Sequence, residues 1–306
     1  MVSRMNDCQL LFDVGGTFLK AVIADSDRRL IEDAEYEVPM PSSGSRDEII
    51  GALVTAVTRG AALAEERGMR IAGVAVDFPG PFDYNAGMSL MEHKFQSIRN
   101  VNLTGILKSH PALGSDVPVR FLHDVNAALA GEMMCGNARD FRNAALVTLG
   151  TGLGFACCID SVLQLNPYGS PLISIFRMPY GGGILEDFVS KRGITRLYRE
   201  MSGCVKNEIT VAEIASAAFE GDDAARRAFA EAGGILGRVL APILAENNIE
   251  CLLCGGQISK SFELFGPALS ENLKDVAQPR LIAPAKNITT APFYGLLASL
   301  IQEPSR

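Results

Sequence analysis

The first legible pattern in the chain is an apolar run, Gln9 to Val14, that stops at Gly15 and Gly16 and resumes as Leu19 to Asp25. Short apolar runs punctuated by glycine predict two strands joined by a glycine-tipped turn. The design returns about half the chain later: Ala144 to Leu149 leads into Gly150, Thr151, Gly152 and Gly154, and Phe155 to Asp160 follows. Each copy carries a Gly-Thr pair at its tip and then an apolar run ending in Asp, so one supersecondary unit has been used twice. Each is followed by another buried strand with a turn behind it, Ile71 to Phe78 before Pro79-Gly80-Pro81 and Cys251 to Cys254 before Gly255-Gly256.

Helical spacing of apolar positions covers Arg46 to Arg67 and Asp222 to Glu246. Val119 to Leu122 reads as a short strand ending at His123-Asp124, with a helix over Asn126 to Met134 and a last short helix at Tyr294 to Ile301. Strands and helices alternate, which makes the class α/β. Two related lobes are expected, residues 1–117 and 118–306, parting near Gly114 to Pro118, with the C-terminal helix, 292–306, free to pack on the first.

Composition narrows the chemistry. At 306 residues with 48% hydrophobic and 21% charged residues, the chain has ample material for two cores. Lys and Arg total 28 against 35 Asp and Glu, a net charge of -7, so no global positive field attracts nucleic acid. Seven cysteines form an odd set, and the neighbours Cys157 and Cys158 lie in an apolar run, which reads as core packing in a reducing cytoplasm. Met1 to Asn6 has no apolar stretch behind Arg4, and the longest apolar run, Ala144 to Ile159, is cut by three glycines, so neither a secretion signal nor a membrane span is expected.

The glycine tips carry the candidate chemistry. Clustered backbone N–H groups without bulky side chains suit polyphosphate oxygens, whereas a lone glycine pair marks an ordinary turn. Here the tip occurs twice. Asp13 stands where a carboxylate would hold Mg²⁺ or its water, and Thr17 and Lys20 stand where phosphate oxygens would pass. Asp124, at a strand end, suits a general base for a hydroxyl nucleophile and equally suits the cap of the helix behind it.

Six segments in order resemble the ROK sugar kinases: LFDVGGTFLK at Leu11 to Lys20, PGPFD at Pro79 to Asp83, HDVNAALAGE at His123 to Glu132, VTLGTGLG at Val147 to Gly154, GGILEDFVS at Gly182 to Ser190 and CGGQIS at Cys254 to Ser259. The resemblance implies an actin and hexokinase type of fold, two ribonuclease H-like lobes with ATP bound in a central cleft, and transfer of the ATP γ-phosphoryl to a sugar hydroxyl. It implies Asp124 as catalytic base, and ATP-phosphate contacts at Asp13, Gly15, Gly16, Thr17, Lys20, Gly150, Thr151, Gly152 and Gly154, with Mg²⁺ held by Asp13 through water. It further implies adenosine contacts at Gly255 and Gly256 and sugar contacts at Gly80, His123, Asp124 and Glu186.

The chain departs from the family where sugar and zinc bind. Many members have Asn where His123 stands. The Glu-x-Gly-His sugar segment is missing, since Arg177 is the only charged residue between Ser161 and Leu185 and no His lies there. The family's zinc-binding cysteine cluster is replaced by Pro179-Tyr180-Gly181-Gly182-Gly183-Ile184, so no zinc is expected. Cys251 and Cys254 face opposite sides of a strand and read as core. The expectation is a cytoplasmic hexose kinase, glucokinase-like, with an amino sugar, ketohexose or glycoside as alternative substrates and a homodimer left open. A non-catalytic sugar-binding regulator of the same family is the second alternative. Regulators of that kind carry an N-terminal helix-turn-helix, for which a hairpin starting by residue 9 leaves no room.

Overall fold

The computed structural model describes residues 6–203, 209–276 and 279–301. The chain divides into two compact units. Unit 1 takes residues up to Met134, the short segment Leu165–Ser170 and the chain from Thr290 onward; unit 2 takes Cys135–Gln164 and Pro171–Thr289.

Unit 1 contains β1 (Asn6–Val14), β2 (Phe18–Asp25), β3 (Tyr36–Pro39), α1 (Arg46–Glu66), β4 (Met69–Phe78), a short hairpin β5 (Phe82–Asp83) and β6 (Met88–Ser89), α2 (Leu103–Lys108), β7 (Val119–His123) and α3 (Asp124–Cys135). Unit 2 contains β8 (Ala144–Leu149), β9 (Leu153–Ile159), β10 (Val162–Leu163), a hairpin β11 (Pro179–Tyr180) and β12 (Gly183–Ile184), α4 (Glu186–Val189), α5 (Lys191–Ser202), α6 (Val211–Glu220), α7 (Asp223–Glu246), β13 (Cys251–Gly255), α8 (Phe262–Glu271) and β14 (Leu281–Pro284). The last helix, α9 (Ala291–Ile301), returns to unit 1.

The repeat read from the glycine tips extends to whole sheets. Unit 1 orders its strands β3-β2-β1-β4-β7 and unit 2 orders them β10-β9-β8-β13-β14. In each sheet the first hairpin is antiparallel and the two strands beyond it are parallel, as in the ribonuclease H-like order. Strand β1 runs through three consecutive apolar residues, Leu10 to Phe12, because both its faces are covered there. Leu10 and Phe12 join the core under α1, while Leu11 joins a second core made with Phe293, Leu296 and Leu297 of α9.

One expected boundary moves. β7 pairs in parallel with β4, Val74 opposite Val119 through Phe78 opposite His123, so 119–134 belongs to unit 1 and the units part after α3 rather than before β7. Pairing partners are set by tertiary contact, which a local strand pattern does not report. Helix α9 packs on unit 1; positions 302–306 of the expected C-terminal helix lie outside the described residues. Helices α3 and α9 meet backbone to backbone: a Cβ on Gly295 would fall 1.8 Å from the Ala127 carbonyl oxygen, and one on Gly131 equally close to that of Ala291.

Among the described residues, α7 is the one helix long and apolar enough to cross a membrane, and most of it is buried in unit 2, where its Phe229, Leu236 and Leu240 are core. Cys8, Cys157, Cys158 and Cys254 are free thiols, and Cys254 lies in that same core.

Candidate active site

In unit 1 the parallel strands β1, β4 and β7 end along one edge, and their last residues bring four polar side chains there. Open α/β sheets bind ligands at this edge because the strands stop there and the loops diverge. Asp13 lies opposite Asp77 in the β1–β4 register and opposite Lys20 in the β1–β2 register, and Phe78 lies opposite His123. Asp124 follows as the first residue of α3.

Asp77 is the residue the motifs did not single out. It is buried, with Oδ1 accepting the Val14 N–H at 3.3 Å and Oδ2 lacking a partner. Burial pushes its carboxyl well above the ordinary range, and the neighbouring Asp13 and Asp124 charges push the same way. Asp13 is also raised, by burial first and by Asp124, while a hydrogen bond with Asp77 and the charge of Lys20 pull it down. The signal in the sequence was a lone acid inside the apolar run Ile71–Phe78.

Asp124 sits differently. Its side chain is open to solvent, and Oδ1 accepts the Val125 N–H at 2.7 Å and meets His123 Nδ1 at 2.6 Å. The shorter contact assigns Nδ1 as the donor. Desolvation of the recess raises the Asp124 carboxyl, but the His123 hydrogen bond and charge, with the Val125 N–H, outweigh it and leave the group below its ordinary value. His123 is held by its neighbours: its ring lies 5.6 Å from that of Tyr84, and its Nε2 faces the Gly80 position at 3.3 Å from where a Cβ would be. Tyr84 Oη donates to the Phe78 carbonyl at 2.8 Å.

The first glycine tip closes through Gly15 N–H to the Phe18 carbonyl at 2.9 Å, and Met40 N–H reaches the Thr17 carbonyl at 2.8 Å. Thr17 and Lys20 are exposed. The segment Leu165–Ser170 also belongs to this unit. Tyr84 N–H bonds the Tyr168 carbonyl at 2.8 Å, Asn85 Nδ2 the Pro167 carbonyl at 2.8 Å, and Asn126 Nδ2 the Gly169 carbonyl at 3.2 Å. Part of the stretch that lacks the family's sugar segment is thus seated against the loop and helix that flank His123 and Asp124.

In unit 2 the second tip closes through Gly150 N–H to Gly152 O at 3.1 Å and is tied to α5 by Lys191 N–H to Gly150 O at 2.8 Å. Thr151 and Gly152 are exposed. Glu186 lies on this tip: Oε2 accepts the Leu153 N–H at 2.9 Å and Oε1 pairs with Arg192 at 2.9 Å, and Arg192 also holds Asp187 at 2.7 Å. Its carboxylate is therefore engaged within unit 2, a role its position beside Leu185 did not announce. Gly256 has φ +80° and its Cβ would lie 2.3 Å from the Leu149 carbonyl oxygen, so backbone packing of β13 against the end of β8 requires glycine there. Gly255 ends β13 opposite Thr148. Arg177 lies over the Phe176 ring at 5.2 Å. Among the described residues no group of three or more His, Cys, Asp or Glu could hold a metal ion.

Comparison with known proteins places this geometry. The ROK family model matches residues 10–169 and 179–295. N-acetylmannosamine kinase of Salmonella typhimurium (strain LT2) is 25% identical over 259 residues, 81% of this chain and 82% of that protein. The DNA-binding transcriptional repressor Mlc of Escherichia coli (strain K12) is 26% identical over 226 residues, 69% of this chain; the chain spans about half, 54%, of the repressor's length. Glucokinase from Parabacteroides distasonis superposes with TM-score 0.83 at 21% identity, covering 98% of this chain and 99% of that one. A ROK family glucokinase from Streptomyces griseus, in complex with glucose and AMPPNP, gives TM-score 0.77 at 20% identity, covering 97% and 100%. These likenesses establish the fold as the actin and hexokinase type.

Proposed function

The chain belongs to the ROK family, and we propose that it transfers the terminal phosphoryl group of ATP to a hexose or hexose derivative, at the 6-hydroxyl. The observation that carries this reading is Asp124: a solvent-facing carboxylate at the carboxyl edge of the sheet, aimed by His123 and lowered by it, close in the fold to the Asp13–Thr17 tip. A general base must be ionised at working pH and within reach of the proton that it takes. In the proposed step the sugar oxygen bonds to the γ-phosphorus as the bond to the β,γ-bridging oxygen breaks. The hydroxyl proton passes to Asp124, and ADP leaves with the bond's electron pair.

The first tip offers backbone N–H groups, Thr17 and Lys20 to phosphate oxygens, and the second offers Gly150 to Gly154 with Thr151. Gly255 and Gly256 are proposed at the adenosine, and Gly80 and His123 at the sugar. Glu186 acts, on this reading, by fixing the second tip, and reaches sugar only through an exchange of its present partners. Asp13, a half-buried carboxylate at the end of β1 beside the first tip, fits Mg²⁺ held through water. The ion, when bound, neutralises charge on the phosphate oxygens.

The Salmonella relative keeps an N-acetylated amino sugar among the candidate substrates, and the match to the Mlc repressor favours one second reading, a sugar-binding regulator without turnover. The free cysteines suit a cytoplasmic setting. ADP release measured over glucose, its epimers, N-acetylated hexosamines, fructose and a β-glucoside separates the readings. Asp124→Asn should lower kcat by about 10² to 10⁴ with nucleotide affinity little changed. Absence of turnover on every sugar, with sugar binding intact, would favour the regulator.

A further inference from the structure

A lysine outside every motif stands at the first glycine tip. A Cβ on Gly16 would lie 3.8 Å from Lys94 Nζ and 3.5 Å from Ser42 Oγ, so an ammonium and a hydroxyl flank the tip on one side. The two are joined through the backbone, Phe95 N–H donating to the Ser42 carbonyl at 2.6 Å, and Ser97 Oγ donates to the Gly44 carbonyl at 2.7 Å. Phe95 is fully buried with its ring 4.9 Å from that of Phe78, the residue after Asp77, which anchors the backbone that carries Lys94. The nearest acid along the chain, Glu92, is taken by Arg99 at 2.9 Å. Among the described residues Lys94 makes no ion pair.

We propose that Lys94 Nζ, Ser42 Oγ and the backbone of Gly16 form an oxyanion subsite that takes the terminal phosphate of a polyphosphate. The inference rests on the kinase reading for its catalytic consequence and on geometry alone for binding. A compact ammonium suits a phosphate as a point charge, and glycine leaves the anion room to reach it. Lys20 reaches the tip from β2, opposite Asp13, so Lys94 is a second cation brought from a different segment. In the transfer step its charge sits where negative charge is carried by the phosphoryl oxygens, which makes it a catalytic residue for turnover and not only for binding.

The test uses the full chain with inorganic pyrophosphate as probe in titration calorimetry, and ADP release as the second readout. Lys94→Met should weaken pyrophosphate binding at least about tenfold and lower kcat about 10²-fold while the sugar KM stays within about threefold; Lys94→Arg should restore most of the binding. Lys108→Met, on α2, should change neither. No measurable pyrophosphate binding by the unaltered protein, or equal binding by Lys94→Met, overturns the subsite. Lys94-dependent binding without ADP release on any sugar leaves the subsite standing and removes the kinase reading. ADP release unaffected by Lys94→Met does the reverse.

Discussion

Asp13 and Asp77 face each other across the parallel β1–β4 ladder, and one oxygen of the buried Asp77 has no partner. An interior carboxylate without a compensating cation is costly, and this one lies at the edge of the sheet where Asp124 also stands. The arrangement puts three acids at one corner of unit 1, which is the kind of place where a fold sacrifices stability for chemistry.

Asp77→Asn keeps an acceptor for the Val14 N–H and supplies a donor toward Asp13. The variant should therefore be more stable than the parent at neutral pH in EDTA, by about 1–3 kcal/mol, or roughly 2–10 °C in Tm for a chain of this size. Calorimetric scans of both proteins decide it. A lower Tm for the variant would mean that the Asp77 charge is already balanced in the folded chain.

The pH profile of turnover follows from Asp124. If, as proposed, the ionised Asp124 carboxylate is the base, its lowered folded pKa puts the acid limb of kcat below the ordinary aspartate range. Replacing His123 by Phe removes the main downward influences and leaves the upward effect of desolvation. The limb should then move to higher pH. Profiles of kcat from pH 3 upward, recorded for both proteins, show the shift; coincident limbs would dissociate His123 from the base.

The hairpin β11–β12, where the sequence leads us to expect no zinc, is held by packing. Tyr180 and Phe188 meet edge to face at 5.1 Å, Arg196 lies 4.3 Å over Phe188, and Arg238 donates to Tyr180 Oη at 3.1 Å. Less than about 0.1 zinc per chain is expected by elemental analysis, with Tm unchanged by a zinc-selective chelator. Phe188→Ala should lower Tm, since it removes the partner of both contacts. About one zinc per chain would point to ligands outside this hairpin.

The α3–α9 contact leaves no room for a methyl group. Gly295→Ala should cost about 3 kcal/mol or more, because relief requires moving a helix backbone rather than a side-chain tip. Denaturant unfolding measures it, and Gly51→Ala, which meets nothing within 4 Å in α1, serves as the comparison and should be neutral or stabilising. Equal losses at the two positions would contradict the close crossing.

Local pattern was enough for what depends on local pattern. The glycine-tipped hairpins, the buried strands Ile71–Phe78 and Cys251–Cys254 and the helices begun at Arg46 and Asp222 all stand where periodicity and turn residues put them. The repeat was legible for the same reason, since the same short elements use the same residues twice. Tertiary structure decided the rest. The place of β7 in the first sheet depends on its pairing with β4, and the seating of Leu165–Ser170 against Tyr84 and Asn126 depends on contacts across long sequence separations. Asp77 looked like one acid in an apolar strand until register set it opposite Asp13, and Glu186, expected at the sugar from the resemblance, is laid by folding on the second tip. Lys94 carries no motif at all; only the path of the chain through Ser42 and Phe95 brings its charge to Gly16. Residue type and spacing fix what a segment can become, and which side chains then share a few ångströms is settled by packing between segments that the sequence holds far apart.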